Sequence, residues 1–291
     1  MRVERWDKPG EFLEATLAYR AAEPFRTNVM ATVAASVVVD TSRYQECFWW
    51  TVHDAEGAVR GAAFWTPPHA LSIGPMAAEA AEDLARYVAV SSTEPADLIG
   101  APQLVSAFAE AFSSSRGSGA PAYVVKRRDV LYVAENVVAP TVPGEPTLAT
   151  EADLDLAEAW LSDFAEEIDG VRRTPDAGRR TAMLGTLREG RLWWWSDRGE
   201  IVSMAAHNVT IDTAGTGVTR VGPVFTPPSR RRHGYAAAVT AAVTVCILDA
   251  GSKVMLFADE ANATSNGVYQ SIGYRAIDVF VVATAKAKSG P

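Results

Sequence analysis

Hydrophobic periodicity divides the second half of the chain into clear elements. Residues 151–167 carry Leu154, Ala157, Leu161 and Phe164 three or four positions apart, which predicts an amphipathic helix capped by Thr150. A second helix is expected over 177–189, with Ala182, Met183, Leu184 and Leu187 apolar. Two blocks, 192–196 and 201–209, flank Asp197-Arg198-Gly199 and read as a hairpin. Then come a β-branched run over 221–225, an Ala-rich helix to Asp249, a strand over 253–258, a helix over 265–272 and a last strand over 277–284.

The first half repeats this rhythm in weaker form. Phe48-Trp49-Trp50-Thr51, Asp54-Ala55-Glu56-Gly57 and Gly61-Ala62-Ala63-Phe64 parallel Leu192-Trp193-Trp194-Trp195, Asp197-Arg198-Gly199-Glu200 and Met204-Ala205-Ala206-His207. Leu71-Ser72-Ile73-Gly74-Pro75-Met76 likewise parallels Thr219-Arg220-Val221-Gly222-Pro223-Val224, after which the first copy enters a helix directly, over 77–88. Internal duplication is the expectation. A strand is expected over 130–138 and a Pro-rich connector over 139–146, giving domains 1–139 and 146–291; 113–121 reads as a loop.

Composition narrows the class. With 291 residues, 48% hydrophobic and 21% charged, the chain has room for two cores. It offers no eighteen-residue apolar run and no apolar leader after Met1, so no membrane span and a cytoplasmic setting are expected. Cys47 and Cys246 sit in apolar surroundings and read as buried small hydrophobes. A net charge of −8 argues against nucleic acid and is compatible with a cationic amine partner.

The candidate chemistry lies in 221–236, VGPVFTPPSRRRHGYA. A strand, a basic loop and a helix start present free N–H groups and the positive end of a helix dipole, an anion site suited to phosphate or pyrophosphate. Gly234 permits close approach of a ligand, and Ala236 leaves the first turn uncrowded. A second block, 256–274, reads LFADEANATSNGVYQSIGY.

Together these blocks resemble the GCN5-related N-acetyltransferase (GNAT) superfamily. Arg231, Gly234 and Ala236 match its R-x-x-G-x-G/A loop, and Asn262, Tyr269, Gly273 and Tyr274 match its Asn and Y-x-x-x-G-[FY] frame. The resemblance implies an α+β fold of two GNAT-like domains in tandem, each a mixed, mostly antiparallel sheet flanked by helices, the first degenerate and the second catalytic. It implies acetyl-coenzyme A as acyl-donor substrate, with no metal, and transfer of the acetyl group to a primary amine of a small molecule or peptide by a monomer or homodimer. Val224, Phe225 and Thr226 would pair with the pantetheine arm, and Arg231, Arg232, His233, Gly234, Tyr235, Ala236 and Ala237 would hold the pyrophosphate. Asn262 would either bond the pantetheine or simply shape a strand-to-helix turn. Tyr269 takes the place of the general acid, and the alternative for it is core packing. Glu167 is the candidate base, beside Glu166, His207 and a water chain. Trp193, Trp194 and Trp195 alternate faces and are expected mainly in the core. Two other readings stay open: a coenzyme A-binding regulatory module without turnover, and a tandem transferase using another acyl donor.

Overall fold

The computed structural model describes residues 1–90, 94–117, 120–170, 172 and 176–286. The first half runs β1 (Arg2–Trp6), α1 (Pro9–Ala15), α2 (Leu17–Ala22), α3 (Asn28–Val39), β2 (Phe48–His53), β3 (Val59–Trp65), β4 (Leu71–Ile73), α4 (Ala78–Ala89), β5 (Asp97–Gly100), α5 (Pro102–Arg116) and β6 (Ala122–Ala134). The second runs β7 (Glu145–Leu148), α6 (Leu154–Asp169), α7 (Ala177–Arg188), β8 (Leu192–Asp197), β9 (Glu200–His207), β10 (Ile211–Thr213), β11 (Thr216–Phe225), α8 (Tyr235–Asp249), β12 (Lys253–Asp259), α9 (Ala263–Ser271) and β13 (Arg275–Lys286).

Local sequence explains most of these boundaries. Thr150 and Asp153 form a capping box ahead of α6, whose first turn is a 3-10 turn over Glu151–Asp153. Asp176 accepts from the Arg179 N–H and starts α7. Arg198, with φ 52°, and Gly199, with φ 80°, make the hairpin turn between β8 and β9. The run expected to be a loop at 113–121 instead extends α5 through Arg116, because Phe108 and Phe112 bury that helix against β13 and β5; positions 118–119 lie outside the described residues. Strand β6 begins eight positions earlier than expected and stops at Ala134, and the Pro-rich connector contributes Pro146 to β7, an edge strand where its missing N–H faces no neighbour.

Both halves build one sheet in the order β1-β2-β3-β4-β5-β13-β6-β12-β11-β9-β8-β7, with β10 beside β11. The halves exchange their last strands: β6 of the first pairs with β12 of the second, and β13 of the second pairs with β5 of the first. β6 and β13 are themselves antiparallel along most of their length. Most pairs are antiparallel, but β4–β5 and β11–β12 are parallel. On the second half, α8 and α9 cover one face over Val202, Ala205, Leu256 and Tyr274, while α6 and α7 cover the other over Trp194, Met204 and Phe225. The tryptophans alternate as the pleat requires: Trp194 meets Trp160 edge-on under α6, whereas Trp195 packs beneath α8 and donates to the Pro143 carbonyl at 2.9 Å. Cys246 is exposed on α8 and Cys47 half-buried, so neither is the buried hydrophobe expected.

Candidate functional site

The site begins where β11 and β12 part. Their parallel pairing runs from Val218 opposite Lys253 to Arg220 opposite Met255 and ends there. Beyond it, β12 stays with β6, from Leu256 opposite Tyr132 to Asp259 opposite Asp129, and β11 stays with β9 across a bulge between Val221 and Val224. The Gly222–Pro223 peptide, which is cis, sits in that bulge. Pro223 therefore lies at the strand split, and the β12-facing edge of 221–225 has no strand partner among the described residues. Phe225 O accepts from Ser203 Oγ at 3.1 Å, and Thr226 Oγ1 pairs with the same hydroxyl at 2.8 Å.

The loop after β11 holds the proposed anion site. Arg232 and Gly234 both have left-handed φ, 65° and 82°, which turns the chain so that α8 starts at Tyr235. The first α8 hydrogen bond runs from Ala238 N to Gly234 O, leaving the N–H groups of Tyr235, Ala236 and Ala237 outside the intrahelical ladder. His233 stacks on Tyr235 with ring centroids 5.5 Å apart, and Tyr235 donates to Asp197 at 2.6 Å. Arg231 Nε donates to Thr226 O at 2.9 Å, and its Nη2 bonds Glu167. A donor pyrophosphate fits this main chain: unbonded amides, a helix N-terminus and an arginine lie together. The space beside Gly234 is already used, since a Cβ there would come 2.7 Å from Val142 Cγ1 of the connector.

The catalytic candidates fall in different places. Tyr269 packs on α9 between Tyr132 and Tyr274, with centroids 6.3 and 6.0 Å away, and burial pushes its phenol up to about 12. Asn262 accepts from Ser265 N at 3.0 Å and so caps α9. Glu167 joins Arg231 at the loop and does not reach the cavity on the α6/α7 face. Glu166 pairs with Arg172 at 3.1 Å. His207 is on that cavity's wall; burial lowers its pKa despite the 3.0 Å contact between Nδ1 and Asn208 O.

That cavity, about 1070 Å³, opens between α6, α7, β9 and β11 and touches Gly222 and Pro223 at the strand split. Its wall includes Arg220, which the hydrophobic rhythm hid inside a β-branched strand, and Arg43 and Arg127 from the first half. The readable signal for Arg220 is a cation between Thr219 and Val221, both fully or nearly fully buried.

Known proteins place this architecture. The FR47-like protein profile matches residues 198–282. A GNAT-family acetyltransferase from Colwellia psychrerythraea is 11% identical with TM-score 0.60, covering 98% of this chain and 99% of that one. A tandem GNAT protein from the clavulanic acid biosynthesis pathway is 15% identical with TM-score 0.55, each chain fully covered. A GCN5-related N-acetyltransferase from Sphaerobacter thermophilus is 17% identical with TM-score 0.55, covering 98% of this chain and 95% of that one. No curated protein matches the sequence. The fold is the GNAT fold, arranged in tandem.

Proposed function

For a chain built on the GNAT fold in tandem, we propose an acetyl-coenzyme A-dependent N-acetyltransferase whose second half, 146–291, carries the reaction and whose first, 1–139, does not bind the donor. The observation that carries the reading is the opening of β11 from β12 beside a loop rich in free amides, with a cavity meeting the same opening from the α6/α7 face. Donor substrate would be held along Val224–Thr226 and by the main chain of 231–237, with Arg231 kept in place by Glu167 and Thr226. Glu167 bonds Arg231 at the loop and lies off the cavity wall, so it acts on the donor side rather than as the base. His207 suits the base: burial keeps it neutral, and its Nδ1 is tied to Asn208 O, leaving Nε2 for a proton.

The amine nitrogen attacks the thioester carbonyl, the N–C bond forms and the C–S bond breaks. One proton leaves the amine for the base, and one goes from Tyr269 to the departing thiolate. No covalent enzyme intermediate is involved. Orientation supplies much of the acceleration, since two substrates meet from opposite faces of one strand gap. The test is a panel of primary amines with acetyl-coenzyme A, following free thiol; no thiol release above hydrolysis with any amine sinks the reading. The same panel run with larger acyl donors decides the donor group.

A further inference from the structure

We propose that the acceptor amine also bears a carboxylate, which Arg220 holds inside the cavity between α6, α7, β9 and β11; this rests on the transfer reading above. The wall of that cavity holds seven arginines and only two carboxylates, Asp155 and Glu158, although the chain as a whole carries −8. Both carboxylates bind Arg180, while Arg172 pairs with Asp163 and Glu166 and Arg179 with Asp176, from outside the wall. Arg127 pairs with Asp129 at 3.0 Å and Arg191 with Glu189 at 2.7 Å. Arg43, exposed at the rim, has no ion pair among the described residues.

Arg220 is the unusual one. It stands mid-strand between Thr219, fully buried, and Val221. Its Nε and Nη2 are satisfied by the Asn208 side-chain oxygen once that amide is turned, and Nη1 is buried with no partner. Burial alone brings its pKa to about 10, with no carboxylate acting on it. The group is still charged at neutral pH; the side chain as a whole is half-buried, and a guanidinium nitrogen shut off from water is costly to leave without a hydrogen bond. A ligand anion completes it. One free guanidinium nitrogen matches a monoanion. From Arg220 to Pro223 is three strand residues, about 10 Å. An amino acid whose amine stands several methylenes from its carboxylate spans that length, with its carboxylate on Arg220 and its amine toward the strand split.

The experiment compares each amino acid with its own amide, and with O-phosphoethanolamine, in the thiol-release assay and by melting shift. Expected is a preference of about 10- to 100-fold for the acid over the amide in kcat/KM, expressed mainly in KM. Arg220→Met should bring that ratio toward one, and Arg43→Gln, an exposed change that leaves folding untouched, should narrow it several-fold. Equal use of acid and amide by the unaltered protein, or preference for the phosphate, overturns the proposal while leaving transfer intact. If no amine releases thiol, the transfer reading falls; a melting shift with acids but not amides, lost in Arg220→Met, still upholds the anion site, and no shift overturns it.

Discussion

The two parallel strand pairs do opposite things. In the second half, β11 leaves β12 after Arg220, and nine residues separate Phe225 from the first residue of α8. In the first half, β4 and β5 pair through Ser72 and Ile99, and only four residues separate Ile73 from α4. The place of the gap is filled from within. Tyr19 Oη donates to Pro75 O at 2.7 Å, and a Cβ on Gly74 would meet that hydroxyl at 2.6 Å. Met76 lies over Gly61, whose Cβ would be 2.8 Å from the Met76 Cβ. One fold thus serves as a cleft or as a filled core depending on loop length and two side chains. In the proposed reading the first half survives as a wall, lending Arg43 and Arg127 to the cavity and β6 to the other half's sheet.

The sharpest way to break the comparison is to count donor sites and then destroy one. Calorimetry should give one acetyl-coenzyme A per chain, and two would mean that the filled gap opens. Gly234→Glu should abolish binding, through bulk and charge beside the free amides. The variant also forces a side chain to φ 82° and against Val142, so a loss of about 1–2 kcal/mol in stability should accompany it. Gly234→Ala in a Val142→Ala background relieves the second clash; binding that remains weak there assigns the effect to the ligand side. Unchanged affinity in Gly234→Glu would put the phosphate site elsewhere.

Tyr269→Phe comes next. Its ring keeps the contacts with Tyr132 and Tyr274, so melting temperature and donor affinity should hold while turnover falls about 10²- to 10⁴-fold. Equal turnover would return Tyr269 to the core and favour a module that binds coenzyme A without chemistry.

Most of the second half's element order, β7 and β10 apart, was legible in the sequence because capping and turn residues are local. Thr150, Asp176 and Arg198-Gly199 state their roles within four positions. The strand exchange was not. Alternation tells which face of β6 or β13 is buried, and says nothing of which strand lies beside it. The 231–237 loop was visible as a motif, but the crossing of Val142 over Gly234 was not, since nothing local in 139–146 announces what it packs on. Arg220 and Arg43 escaped for the same reason: a cavity shared by both halves has no sequence period.

A smaller effect separates positioning from proton transfer at Glu167. Glu167→Gln removes the ion pair with Arg231, and both partners are exposed, so the pair itself contributes little to stability. Expected is a several-fold rise in donor KM with kcat and its pH profile held. A fall in kcat of a hundredfold or more with donor affinity intact would restore Glu167 as the base.

The smallest effect concerns pH, and it again sets the halves apart. His207 occupies the position that Phe64 fills in the first copy, so only the second half carries a titrating group there. Burial lowers the folded pKa of His207 below its ordinary 6.5. Between the lowered value and 6.5 the unfolded chain therefore binds more protons than the folded one, and stability rises with pH across that window. Below both values the contribution is constant at its least favourable, and above 6.5 it vanishes as a pH term. His207→Asn should flatten this part of the stability curve, measured by urea unfolding at steps of pH, while kcat/KM loses the acid limb set by the neutral imidazole. A variant whose activity keeps that limb would move the base to another group, and one whose stability keeps its slope would assign the protons to a different buried residue, Asp129 excepted, because its raised carboxyl pKa gives the opposite sign.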